Sequence, residues 1–490
     1  MTTFLSSFAR MLFLIAVLAI ANTATAQNKL ENALNSFIND PELTYASVSF
    51  CAIDIKNNQI FAERFANKAL IPASSMKVVT TGTALAILGK NYTFKTYLEY
   101  SGSISNGTLN GNLYIRGTGD PSLASPKMQG VPSKQQLLQI WAAAISKAGI
   151  KKINGAVIGD GSYFEDESIP PSWQWGDIGN HYGAGVSGLN FHDNLYFIKF
   201  EKNKSYGATP KIADTDPIVP QLKFDNEVTS AGSKTGDNAY VYVAPYGTEV
   251  IVRGTIPKGT GSFSVKGAVP DPELLAADQL YRTLLSAGIT VSRPATTIRL
   301  FLKKESRKVI HTHTSPSLLD ICKHTNEESR NMYCEALIKA MGKKVKGLGT
   351  TDDGIAAVMD FWRGRGLDMK GFFMLDGSGL SARSGVSTKI MAQIMRKMYV
   401  DKTTFGDFYN QLAIAGVSGT LKNVGRNSAA DNNVHAKSGS MNRIRSYTGY
   451  VTTKSGKMLS FSIIINNYSC SGWAMKKKLE QLMIAMAETY

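Results

Sequence analysis

Residues 45–74, Y-A-S-V-S-F-C-A-I-D-I-K-N-N-Q-I-F-A-E-R-F-A-N-K-A-L-I-P-A-S, carry two apolar-rich runs on either side of Asn57-Asn58, which predicts two strands joined by a turn. Before them, N-K-L-E-N-A-L-N-S-F-I-N-D (28–40) spaces its apolar residues as an amphipathic helix does, and after them a helix opens at Ser74 and stops at Gly89. The far end of the chain reverses this order. S-Y-T-G-Y-V-T-T-K-S-G-K-M-L-S-F-S-I-I-I-N-N-Y (446–468) reads as a hairpin, and A-M-K-K-K-L-E-Q-L-M-I-A-M-A-E-T-Y (474–490) as a closing helix. Helix and hairpin against hairpin and helix predicts one sheet built from both termini. The stripe Leu479, Leu482, Met483 and Met486 on the last helix reads as a core-packing face in preference to a membrane-surface face.

Between about residues 100 and 300 the pattern changes to short β-type runs broken by Gly, Pro, Asn and Asp, such as 107–117, 238–254 and 261–269. We read there a mostly β insertion, in two modules, set inside an α/β domain. Helical periodicity returns in 315–344 and 350–366.

The length, 490 residues with 43% hydrophobic, suffices for two or three domains with sizeable cores. The first 26 residues hold Arg10, an apolar run from about Met11 to Ala21 and Ala24-Thr25-Ala26, the pattern of a secretory signal cleaved near Ala26. The apolar run is short of the roughly 20 residues a membrane span needs. A periplasmic or secreted protein is therefore expected. Cys51, Cys322, Cys334 and Cys470 are too few and too scattered for a disulfide scaffold and lack metal-site spacing. Export permits a bridge but the spacing assigns none, and buried free thiols are the plainer reading. The net charge of +16 comes without a basic run long enough to act as a nucleic-acid arm, and anionic envelope polymers and lipid head groups are nearer partners for an exported chain. Peripheral membrane contact stays open on this ground.

The chemistry starts from Ser74 and Lys77, a serine three residues before a lysine at a helix start flanked by apolar residues. Positions i and i+3 share a helix face, so the amine can reach the hydroxyl, and partial desolvation favours the neutral amine that can take the serine proton. S-x-x-K alone is a weak signal. It gains weight from S-x-N at Ser329-Arg330-Asn331 just before a helix, and from Lys437-Ser438-Gly439 leading into a strand, the set found in penicillin-binding proteins and class A β-lactamases. Two decoys compete for the last motif. Lys234-Thr235-Gly236 lies upstream of Ser329 in a turn-rich stretch of the insertion, and Lys454-Ser455-Gly456 sits between two strong strands as a hairpin turn. Lys437 is the one that follows S-x-N and enters a strand.

With these motifs in order, and about 250 residues between Lys77 and Ser329, the chain resembles the class C low-molecular-mass penicillin-binding proteins, the D-alanyl-D-alanine carboxypeptidase/endopeptidase family. G-T-G-D-P-S-L from Gly117, D-G-S-G-L-S-A-R from Asp376, A-G-V-S-G-T-L-K from Ala415 and the strand ending at Asn466 add to the likeness, which spans essentially the whole mature chain. The resemblance implies a transpeptidase-type fold, an antiparallel sheet flanked by helices, in residues 27–96 and 306–490. It also implies a β insert in 97–119 and 197–305 and a second insert in 120–196. It implies a serine peptidase that cleaves D-alanyl-D-alanine and DD-crosslinks of peptidoglycan stem peptides, is acylated by β-lactams and needs no cofactor. Ser74 would be the nucleophile, Lys77 its base, Ser329 and Asn331 the proton relay and orienting amide, and Lys437 a cation. Ser438, Gly439, Ser440, Met441 and Arg383 would bind substrate. Asp177 and Tyr182 would receive the cationic tip of a diaminopimelate-type side chain. Arg330 departs from the family's usual Asp, and is expected to change local charge more than mechanism. Ser438 for Thr keeps the hydroxyl. A β-lactamase would share the acylation parts, but no E-x-x-L-N element is found; a pure transpeptidase would more often carry an anchor; a wall-binding relative without activity would have lost part of the motif set, which is intact.

Overall fold

The computed structural model describes residues 29–301, 305–406 and 408–489. The expected signal segment lies outside these residues. Six strands form the central sheet: β1 (Ser47–Asp54), β2 (Ile60–Arg64), β3 (Ala413–Ile414), β4 (His435–Met441), β5 (Ile444–Thr452) and β6 (Met458–Asn466), in the order β2-β1-β6-β5-β4-β3. Every pairing is antiparallel. The N-terminal strand β1 lies against the late strand β6 over its whole length, Ser47 opposite Asn466 and Asp54 opposite Leu459, so both chain ends build one sheet as their patterns predict.

β6 is buried along nearly all of its length because helices cover both faces. The period-2 alternation of a strand divides its side chains between them. Phe461, Ile463 and Ile465 meet Leu479, Leu482, Met483 and Met486 of the closing helix, whose apolar stripe thus faces the core. Ile464 points the other way, into the cluster that holds Val78, Val79, Met391, Ile394 and Met395. The helices of this part include α1 (Lys77–Leu88), α2 (Leu318–Glu328), α3 (Asn331–Lys346), α4 (Thr351–Gly364), α5 (Thr388–Val400) and the closing α6 (Gly472–Ala487). Lys454 lies in the β5–β6 turn, where Gly456 takes a φ of 81°, and Lys234 is exposed in the loop between strands Lys223–Ala231 and Asn238–Tyr242.

The stretch between α1 and α2 carries a five-stranded sheet, in the order Thr296–Thr297, Val157–Asp160, Leu113–Gly117, Lys95–Ser101 and Arg307–Thr314, a four-stranded one and two three-stranded ones. Strand Val157–Asp160, from the 120–196 stretch, therefore pairs directly with Leu113–Gly117. The β texture of this region hides two full helices, Lys134–Lys147 and Pro272–Ser286, whose Leu137, Trp141, Ile145, Leu275, Leu280 and Leu284 fill the core beneath the sheets. Both starts were written in sequence. Ser133 and Gln136 form a reciprocal capping box, and Asp271 caps a helix with Pro272 in its first turn.

All four cysteines are free thiols, and Cys51, Cys322 and Cys334 are buried. The packing of α6 against the sheet gives the first test. Leu479→Ala should lower unfolding stability by about 2–5 kcal/mol in urea titration. Trp473→Ala on the same helix, where the residue is 71% exposed, should change it by no more than about 0.5 kcal/mol.

Candidate active site

Ser74 belongs to a short 3-10 turn, Ala73–Met76, and the α-helix proper begins at Lys77. The expectation of a serine inside the first helical turn is corrected in this detail, and the tighter turn serves the same end. At three residues per turn, side chains i and i+3 stand one above the other, and Lys77 Nζ lies 2.9 Å from Ser74 Oγ. Ala73, just before, holds a φ of 47°, a left-handed conformation that non-glycine residues rarely adopt.

Lys77 is fully buried and its amine has three partners: Ser74 Oγ, Asn331 Oδ1 at 2.6 Å and the Ser378 carbonyl at 2.7 Å. Three donors are all that an ammonium has, so the group is fully satisfied without water. Asn331 is the first residue of α3, and its amide nitrogen donates to the Tyr182 carbonyl at 2.7 Å. Ser329 ends α2 in the left-handed conformation, φ 59° and ψ 45°. That corner turns its hydroxyl toward Lys437, whose amine donates to Ser329 Oγ at 2.9 Å and to the Ser438 carbonyl at 2.8 Å.

Strand β4 lies against the turn that carries Ser74. A Cβ at Gly439 would come within 2.6 Å of the Pro72 carbonyl and 3.0 Å of the Ser74 nitrogen, so only glycine allows this approach. The Ser438 hydroxyl donates to Thr420 Oγ1 at 2.8 Å. Ser440 is exposed opposite Arg445, and Met441 is half-buried opposite Ile444 at the strand end. Tyr182 OH donates to Asp177 Oδ1 at 3.2 Å, and the Tyr182 carbonyl is the one bonded to Asn331, which ties the 177–182 segment to the serine–lysine group. Arg383 is exposed at the end of its loop. Arg383 N donates to Ser381 Oγ at 3.3 Å, and neither the Met441 nor the Arg383 side chain is hydrogen-bonded to that network among the described residues.

Burial pushes both lysines below their ordinary value, and the charge on Lys77 pushes Lys437 down further, so the pair resists carrying two positive charges. Behind Lys77, Cys334, Asp376 and Glu335 act in the opposite sense. Burial also raises the half-buried Asp177, with the Tyr182 hydrogen bond opposing it.

Sequence reasoning missed Glu335, Asp376, Ser378 and Thr420 as members of the site. Glu335 is buried, and its two oxygens accept from the Gly377 and Ser378 N–H groups at 2.8 and 2.9 Å. Asp376 accepts from Gly379 N at 3.0 Å, Ser381 N at 2.8 Å and Trp173 Nε1 at 2.8 Å. Together they hold the loop that aims the Ser378 carbonyl at Lys77. The run D-G-S-G-L-S-A-R and the Thr of A-G-V-S-G-T-L-K were visible as motifs, but nothing in the sequence says what they hold.

An antiparallel sheet between helices, with a serine and two buried lysines joined through S-x-N, is the architecture of the penicillin-binding serine peptidases. The chain belongs to the D-Ala-D-Ala carboxypeptidase 3 (S13) family, which matches residues 30–489. It is 27% identical to a D-alanyl-D-alanine carboxypeptidase of Actinomadura sp., over 92% of this chain and 84% of that one. It is also 27% identical to the D-alanyl-D-alanine carboxypeptidase DacB of Haemophilus influenzae, over 89% of each. Among solved structures, penicillin-binding protein 4 (dacB) of H. influenzae superposes with a TM-score of 0.77 at 26% identity, covering 89% of this chain and 95% of that one. The same protein complexed with a novel β-lactam gives 0.74 at 25%, covering 93% and 97%.

Glu335→Ala should strand two buried N–H groups, each costing about 1–3 kcal/mol. A loss on the order of 3 kcal/mol in urea unfolding is expected; a change below about 0.5 kcal/mol would mean that the 376–379 loop is held without it.

Proposed function

We propose that the protein is an exported serine D-alanyl-D-alanine carboxypeptidase and endopeptidase of peptidoglycan, working through an acyl-enzyme on Ser74. The observation that carries this reading is the continuous hydrogen-bonded array of Ser74, Lys77 and Asn331, with Lys437 and Ser329 beside it. In this reading Ser74 Oγ attacks the carbonyl carbon between two D-alanines while its proton passes to the neutral amine of Lys77. The tetrahedral oxyanion lies between the N–H groups of Ser74 and Ser440, which meet charge that is present only in the transition state. Its collapse breaks the C–N bond, and a proton relayed through Ser329 beside Lys437 leaves with the amine. Water then attacks the ester, releasing the acyl group as a carboxylic acid and restoring Ser74.

The hydroxyls of Ser438 and Thr420 suit the terminal carboxylate of the substrate, with Gly439 and Met441 of β4 and the exposed Arg383 completing the set of binding candidates. Asp177, half-buried and bonded to Tyr182 with burial raising its pKa, suits a cationic side-chain tip. β-Lactams enter as covalent inhibitors by the same attack. Export rests on the first 26 residues, and peripheral membrane contact on the basic charge. The same reading takes residues 27–96 and 306–490 as the catalytic part, 97–119 with 197–305 as a β insert, and 120–196 as a second insert.

Labelled penicillin should attach to the peptide that contains Ser74, and the Ser74→Ala protein should take up none. In the same assay Lys437→Ala should slow acylation by about two orders of magnitude or more, while Lys234→Ala leaves it within about twofold. Label on another serine would refute the assignment of the nucleophile, and sensitivity at Lys234 the assignment of the strand. On peptides with a free side-chain amine, Asp177→Asn should cut kcat/KM by about tenfold or more, with penicillin acylation nearly unchanged. Equal losses on both substrates would make Asp177 a structural residue.

A further inference from the structure

Arg330 occupies the N-cap of α3, in an extended conformation at φ −77° and ψ 115°, and its side chain makes no capping bond. Ser, Thr, Asp and Asn are the residues that suit this position, and a cation there opposes the helix dipole. Local physics therefore disfavours Arg330, and what holds it is a tertiary partner. That partner is Asp193, whose side chain is 2% exposed and forms an ion pair with Arg330 Nη2. Asp193 also accepts from Tyr333 OH at 3.0 Å, one turn further along α3, and the Arg330 guanidinium lies 5.9 Å from the Tyr333 ring.

Asp193 is itself a fixed post. It sits in the turn His192–Asn194, where all three residues have positive φ. Three separate segments tie that turn down: His192 N donates to the Leu123 carbonyl at 2.9 Å, Val269 N to the Asn194 carbonyl at 2.8 Å, and Asn194 Nδ2 to the Gly185 carbonyl at 2.9 Å. Ser329 immediately precedes Arg330, and at φ 59° and ψ 45° it makes the left-handed corner between α2 and α3. The N–H groups of Ser329 and Arg330 share one acceptor, the Thr325 carbonyl. Where the arginine is anchored therefore decides where the Ser329 hydroxyl, 2.9 Å from Lys437 Nζ, is aimed.

We infer that Arg330 and Asp193 are positioning residues for proton delivery, their ion pair setting the direction of the Ser329 hydroxyl toward the leaving nitrogen. The inference rests on the proposed relay through Ser329. In that reading the proton lifted from Ser74 reaches the nitrogen by way of Ser329 as the C–N bond breaks, because an unprotonated amide nitrogen is too basic to leave. A thiolate leaves without a proton. A misdirected Ser329 harms amide cleavage selectively, whereas general damage to the site harms amide and thioester alike.

The experiment measures kcat/KM on two substrates with the same acyl group, a D-alanyl-D-alanine peptide and its thioester counterpart with a mercapto acid in place of the last D-alanine. Arg330→Met with Asp193→Asn removes both charges together, so that no lone buried charge remains and the new amide still accepts from Tyr333. Arg330→Lys keeps the charge without the planar fork, and it carries the test alone if the double variant lacks the circular dichroism of the wild type. On the amide, kcat/KM should fall about tenfold or more in the double variant and about threefold or more in Arg330→Lys, with the thioester within about twofold of wild type in both. Parallel losses on the two substrates, or no loss on either, would overturn the inference. Ser329→Ala in the same assay should lose more on the amide than on the thioester. If it does and the Arg330 variants do not, the inference alone fails; if it does not, the relay reading is rejected and the inference with it.

Discussion

Two lysine side chains, Lys77 and Lys437, sit side by side with no exposure to solvent. Burying an unpaired ammonium costs several kcal/mol, and placing a second beside it adds repulsion. The structure meets this by giving each amine hydrogen-bond acceptors from separate parts of the chain. Lys77 draws on its own turn, on Asn331 and on Ser378, and Lys437 on Ser329 and its neighbouring carbonyl. Burial depresses both amines, and the charge on Lys77 depresses Lys437 further. In the proposed reading Lys77 takes the proton of Ser74, and the burial that depresses its amine would also serve that step.

That arrangement depends on the long insertion as much as on the catalytic framework. Three residues of 173–193 reach the site: the Tyr182 carbonyl takes the Asn331 amide, Trp173 donates to Asp376, and Asp193 pairs with Arg330 and accepts from Tyr333 at 3.0 Å. Asp193 is buried, in a turn where His192, Asp193 and Asn194 all have positive φ. Arg330 is thus more than a change of local charge. Its guanidinium neutralises a buried acid and fastens the α2–α3 corner that presents Ser329, and removing either partner would leave the other charge buried and unpaired.

Much of the framework was legible because it is local. The hairpins announce themselves through alternation and turn residues, the stripe on α6 through helical spacing, and the Ser74–Lys77 pair through three residues of separation at a helix start. The two helices of the insertion were equally local, in the capping box at Ser133–Gln136 and the Asp271-Pro272 start, and were passed over because β-type runs surround them. Glu335 is a different case. With Lys339 four residues on, it has the spacing of an ordinary surface pair on a helix. In the fold Lys339 turns to the 165–167 backbone and Glu335 to the 377–378 N–H groups.

By itself the sequence determined which short motifs exist and in what order, since a motif within one turn or one strand is set by neighbouring residues. Three K-[ST]-G triplets satisfied that local rule equally, at Lys234, Lys437 and Lys454. Order after S-x-N and entry into a strand already favoured Lys437; tertiary structure supplies the physical reason, because a sheet pairing β1 with β6 and a glycine-thin approach of β4 to the 73–76 turn bring its amine to Ser329 and beside Lys77. The same holds for the buried acids behind Lys77. Whether a polar side chain is solvated or enclosed depends on residues hundreds of positions away, and its ionisation follows from that enclosure.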